Sequence, residues 1–163
     1  MNKFLKKLIL IIFFLSACSF EPIYKEKNYN FGIGDVKVFG DKQISNDIKE
    51  KLIVRSSENS NINYNLEIDS QSQKKIVSKD SKGNPSIFEI TVTTTFKIKK
   101  EDNLLIDDKV IKKNTYNNIS DKFELENYER IIKNNLSSNI SREIINRISN
   151  LSQWLLNLTI LIS

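Results

Sequence analysis

Residues 86–100 read Ser-Ile-Phe-Glu-Ile-Thr-Val-Thr-Thr-Thr-Phe-Lys-Ile-Lys-Lys. Phe88, Ile90, Val92, Phe96 and Ile98 fall on one side of an extended chain, and Glu89, Thr91, Thr93, Thr95 and Lys97 on the other. Successive side chains of a strand point to opposite faces. Period two with β-branched and aromatic residues therefore predicts a strand with one buried and one wet face. A strand of this kind needs neighbours in a sheet and a cover for its apolar face.

The neighbours lie on both sides. Upstream, Ile62, Tyr64, Leu66 and Ile68 alternate with polar residues and predict a second strand, joined to the first by the turn-forming run Lys79–Pro85. Downstream, Lys100-Glu101-Asp102-Asn103 turns the chain. Residues 104–116 predict a third strand of poorer alternation (Ile106, Val110, Tyr116), with a bulge near Asp107-Asp108. Further upstream, residues 34–40 form a short candidate strand between glycines. Residues 41–56 follow as a helix, capped by Asp41 or Ser45, with Ile44, Ile48 and Leu52 on one face.

The cover comes last. Ser120 or Asp121 caps a long helix in which Tyr128, Ile132, Leu136, Ile140, Ile144 and Ile148 recur every four residues. Leu125, Ile131 and Ile145 widen that stripe. The helix is expected to reach about residue 150, with Ser137-Ser138-Asn139 as a candidate kink. The order β-α-β-β-β-α predicts an α+β two-layer sandwich, a four-stranded mixed sheet covered by two helices.

The head of the chain reads differently. Lys3, Lys6 and Lys7 precede the unbroken apolar run 8–15, which is too short to span a bilayer but fits the core of a secretory signal. Leu15-Ser16-Ala17-Cys18 then matches the bacterial lipobox. In that pattern the chain is cut between Ala17 and Cys18, and Cys18 is acylated. Each buried methylene adds about 0.8 kcal/mol to membrane binding, so several acyl chains make release negligible. Ser19, in place of Asp, directs such a protein to the outer membrane in the enteric sorting pattern. The expected organisation is a signal peptide (1–17), an acylated lead-in (18–33), the sandwich domain (34–150) and an apolar tail (151–163). In that tail Trp154, Leu155, Leu158 and Ile162 continue the helical stripe. Thirteen residues cannot span a bilayer, so the tail packs on the domain, on a partner's wall or on lipid.

Composition excludes several functions. The chain of 163 residues has no His and one Cys, so neither a Cys/His zinc site nor a histidine-assisted nucleophile can be built. No intramolecular disulfide is possible. Removing Lys3, Lys6 and Lys7 leaves 22 basic against 20 acidic residues. No basic stripe interleaved with aromatics remains, and no nucleic-acid partner is expected. Asp107 and Asp108 point to opposite faces of a strand. Glu124 and Glu126 stand about 200° apart on a helix. No pair of acids converges, so no catalytic role, cofactor or metal is expected.

Cys18-Ser-Phe-Glu-Pro-Ile-Tyr24 resembles the Cys-Gly-Phe-x-Pro-Leu-Tyr start of the lipopolysaccharide (LPS) assembly lipoproteins (LptE), especially their alphaproteobacterial form. Ser19 and Ile23 depart from that pattern. The downstream element order is also that of the family. The resemblance implies a non-catalytic outer-membrane lipoprotein at the periplasmic face, membrane-bound through its acyl chains. It also implies two partners: the β-barrel translocon that places LPS in the outer leaflet, which it plugs, and LPS itself. Lys74, Lys75, Lys79 and Lys82, read as a long loop between the second and third strands, would then meet LPS phosphates. The other reading of these lysines is a solvated loop. The other reading of the whole chain is a periplasmic lipid- or peptide-binding auxiliary lipoprotein of a transporter, holding its ligand between sheet and helices.

Overall fold

A computed structural model of the chain describes residues 29, 31–57, 60 and 62–162, without the side chains of 155–162. The predicted signal peptide, the cleavage point at Ala17–Cys18 and Cys18 itself lie outside the described residues. The elements follow in the order β1 (Gly32–Gly40), α1 (Lys42–Arg55), β2 (Asn63–Lys79), β3 (Pro85–Lys100), β4 (Asn103–Asn117) and α2 (Lys122–Ile162). The sheet has the order β1-β2-β3-β4. β1 runs parallel to β2, and β2, β3 and β4 form an antiparallel meander. The fold is the predicted α+β arrangement, a four-stranded mixed sheet with two helices.

β3 organises the core. Phe88, Ile90, Val92, Phe96 and Ile98 are all buried, as are Leu66 and Ile68 on β2 and Val110 and Tyr116 on β4. Thr94, midway along the row, meets Ser70 on β2, and their buried hydroxyls bond to each other at 3.0 Å. Ile44, Ile48 and Leu52 of α1 and Ile132, Leu136, Ile140, Ile144, Ile145 and Ile148 of α2 close the core from above. Each fully buried branched side chain contributes about 1.5–3 kcal/mol. Asp41 caps α1, its carboxylate accepting from the N–H groups of Gln43 and Ile44. Asp121 caps α2, accepting from the Glu124 N–H at 2.9 Å.

The chain turns into α1 through Gly40, whose φ of +69° and Cβ-free approach to the Ser70 carbonyl no other residue could adopt without strain. Beyond Ser70, β1 no longer pairs with β2. The distal β2–β3 hairpin and the end of β4 project past α1, with the first turns of α2 alongside. β2 is 17 residues long, about 55 Å at 3.3 Å per residue. The domain thus has two distinct ends: a base where Gly32 pairs with Asn63, and a distal end at the Asp80–Asn84 turn.

Several expectations are corrected. Lys74, Lys75 and Lys79 are not in a loop but on β2, and only Lys82 lies in the turn. Residues 71–76 are too polar to alternate visibly, yet each pairs in register with the strongly patterned Thr93–Phe88 of β3. No bulge occurs at Asp107-Asp108, which pair regularly with Lys97 and Phe96. The irregularity falls between Ile98 and Lys99, which face Ile106 and Leu104 and leave Leu105 as the extra residue. α2 runs unbroken through Ser137-Ser138 to Ile162. The two hydroxyls bond back to the Lys133 and Asn134 carbonyls, at 2.9 and 3.0 Å, and so remain satisfied inside the helix. Tyr128, Ile131 and Trp154 are substantially exposed rather than part of the buried stripe.

Candidate functional site: the distal hairpin and the open sheet face

The distal end is built around a half-buried carboxylate, Glu129. Alternation along β2 puts Lys74 on the helix side, opposite Ile90. Its ammonium lies 4.1 Å from the centre of the Phe88 ring and 2.5 Å from Glu129 Oε1 on α2. The Tyr116 hydroxyl donates to the same oxygen at 2.7 Å. Phe88 stacks on Tyr116 with centroids 5.8 Å apart, and Tyr128 meets Tyr116 edge-on at 5.8 Å. Burial opposes the charge on Glu129, but the Lys74 ammonium and the Tyr116 hydroxyl outweigh it and hold the carboxyl below its ordinary range. Burial, reinforced by Glu129, pushes the Tyr116 phenol far up, so it stays a donor.

This cluster pins α2 to the hairpin. Glu129 titrates below its ordinary value of 4.5 in the fold, so its pairing stabilises the protein above that pH and is lost as pH falls through the folded value. Glu129→Gln is expected to cost about 1 kcal/mol at pH 7, since Lys74 is part-exposed and the pair is only partly desolvated. The gap between variant and parent in urea unfolding should shrink at pH 3. An equal gap at both values would contradict the assignment.

Register separates the four predicted contact lysines. Lys74 is neutralised by Glu129 on the helix side. Lys75, on the opposite face, lies 2.7 Å from Glu89, with Lys113 3.9 Å from the same carboxylate. The Lys75 ammonium, by its hydrogen bond, holds the Glu89 carboxyl below its ordinary range. Lys79 and Lys82 form no ion pair among the described residues. They flank a turn fixed by Asp80, whose carboxylate accepts from the N–H groups of Asn84 at 2.8 Å and Lys82 at 2.9 Å. The tip therefore presents two ammonium groups outside any ion pair among the described residues, Lys79 at the end of β2 and Lys82 in the turn, on either side of the Asp80 carboxylate. The ion pairs of Lys74 and Lys75 were illegible in the sequence, because Glu89 and Glu129 reach them only through strand register and helix docking.

The sheet face away from the helices is open and mostly polar, with Phe39, Leu104 and Ile111 as exposed apolar side chains on it. Thr91, Thr93 and Thr95 run along it, flanked by the pairs Lys99–Glu67 at 2.7 Å and Lys97–Asp107 at 3.7 Å. A depression of about 140 Å³ on this face is lined by Asp35, Lys37, Asn65, Glu67, Lys99 and Glu101. Small-molecule sites occupy roughly 300–1,000 Å³. The Asp107 and Asp108 carboxylates point to opposite faces, as the sequence predicts, and Asp108 is paired with Arg147 of α2.

Neither a protein-family model nor a curated protein matches the sequence. Solved structures do match. Rare lipoprotein B from Shewanella oneidensis aligns with a TM-score of 0.58 at 9% identity, over 75% of this chain and 98% of that one. A minor lipoprotein from Acinetobacter baumannii aligns at 0.54 and 15% identity, over 76% and 93% of the two chains. Lipoprotein B from Nitrosomonas europaea aligns at 0.55 and 9%, over 78% and 90%. At these identities the likeness is one of fold: this chain is built on the α+β fold of solved bacterial lipoproteins.

Proposed function

We propose that the chain is an outer-membrane lipoprotein of the LPS-assembly (LptE) type, acylated on Cys18, that acts as a structural partner and plug of the LPS-translocating β-barrel. The observation that carries this reading is a lipobox-like head joined to a domain whose fold covers almost the whole of a solved lipoprotein chain. The Thr91-Thr93-Thr95 face suits the polar lumen of a wide barrel. At the distal tip, Lys79 and Lys82 are free to meet LPS phosphates as point charges. A non-catalytic role is part of this reading, and it is consistent with Asp107 and Asp108 facing apart, each beside a cation.

The packed interior disfavours the lipid-binding alternative. Ile48, Leu52, Ile68, Ile90, Ile98, Ile140 and Ile144 fill the space between sheet and helices and are wholly buried. Affinity isolation of the full chain from detergent-solubilised outer membranes tests the proposal. Co-isolation of an LPS-exporting barrel at one-to-one stoichiometry is expected. A bound small lipid with no barrel would replace this reading with the auxiliary-lipoprotein one.

A further inference from the structure

The base of the domain gathers both ends of the described chain. Tyr29 and Phe31 enter there, with ring centroids 5.4 Å apart, and Phe31 meets Tyr64 edge-on at 6.1 Å. The Ser57 N–H donates to the Phe31 carbonyl and the Gly32 N–H to the Ile62 carbonyl. α2 arrives at the same point from the distal end, and Ser152 meets the buried Tyr64 hydroxyl at 3.1 Å. The helix does not stop there. It continues to Ile162, ten further residues, or about 15 Å at 1.5 Å per residue.

This overhang differs in chemistry from the rest of the molecule. No residue after Arg147 is charged, and residues 155–162 read Leu-Leu-Asn-Leu-Thr-Ile-Leu-Ile. Trp154, two residues beyond the buried Ser152, is 59% exposed. Val54 at the end of α1 is 83% exposed and Leu104 at the start of β4 is 52% exposed, both near the base. This uncharged end belongs to a helix that, over the described residues, is not long and apolar enough to cross a membrane. An apolar helical end beside an exposed Trp suits the water–lipid boundary, where Trp is favoured.

We infer that the C-terminal end of α2 lies in the headgroup layer of the leaflet that carries the acyl chains of Cys18, with Trp154 at its border. The inference rests on the acylated-anchor reading for its choice of surface. The eleven steps from Cys18 to Tyr29 span at most about 40 Å, so the tether leaves the domain at the end that bears the overhang and holds that end to the membrane. Two attachments at one end fix the long axis of the domain, with its base at the periplasmic rim of the barrel and the Lys79–Lys82 tip directed into the lumen.

Trp154 is the only tryptophan in the chain and reports directly. The full acylated protein is reconstituted in phosphatidylethanolamine–phosphatidylglycerol vesicles, with and without lipids brominated near the headgroup. The expected results are a blue-shifted emission, at least twofold quenching by the brominated lipid and a several-fold loss of acrylamide access. Leu158→Asn with Leu161→Asn should restore acrylamide access. Co-flotation with water-like, unquenched Trp154 emission would overturn the inference while leaving the anchor intact. Cys18→Ser protein, freed of its signal segment, that still binds vesicles with quenched Trp154 would support the overhang and leave the anchor to be judged by acyl labelling alone. Quenching unchanged by the two leucine substitutions would also overturn it.

Discussion

Cys18→Ser is expected to abolish incorporation of a fatty-acid label and to remove the protein from the outer-membrane fraction. A serine hydroxyl at this position cannot form the thioether that carries diacylglycerol in the lipobox pattern, so cleavage and further acylation fail with it. The effect is large because acyl chains act additively, at about 0.8 kcal/mol per buried methylene. A single chain gives only reversible binding, and two or three make dissociation negligible. The measurement is metabolic labelling followed by density-gradient separation of the membranes. The parent chain should carry label at outer-membrane density and the variant neither. A parent chain that is unlabelled and soluble would remove the anchor from the account.

Tyr64→Ala is expected to destabilise the fold by about 3–5 kcal/mol, the range for deleting a large buried ring. Tyr64 is wholly buried. It joins three parts of the base: Phe31 of the incoming chain, the start of β2, and Ser152 of α2. A loss of that size is a large share of a total near 5–15 kcal/mol. Tyr64→Phe should cost only about 1 kcal/mol, because the Ser152 hydroxyl still donates to the Ile148 carbonyl at 2.9 Å. Urea unfolding of the two variants separates ring from hydroxyl. Equal losses would mean that the hydrogen bond, rather than packing, holds the base together.

The fold was legible where apolar period and burial coincide. β3 alternates because one face is packed and the other wet, and the rows Ile44-Ile48-Leu52 and Ile132-Leu136-Ile140-Ile144-Ile148 are buried as their spacing predicts. It was illegible where a neighbour imposes structure on a neutral sequence. Residues 71–79 of β2 carry no apolar alternation of their own and become strand because β3 supplies a matching ladder. Poor alternation around Asp107 read as a bulge, whereas both aspartates are held in regular register with cations across the faces. The end of α2 read as a separate tail because its apolar residues surround the helix rather than lining one face. The candidate site was half legible: the four lysines were found, but which are neutralised depends on Glu89 and Glu129, distant in sequence.

The most direct test of the central proposal is photo-crosslinking from Thr93, in the middle of the open sheet face, in intact cells. The account predicts a single major adduct with the LPS-exporting barrel, mapping to residues of its lumen. A face that crosslinks only to soluble periplasmic proteins, or to nothing while the protein is abundant in the outer membrane, would contradict it.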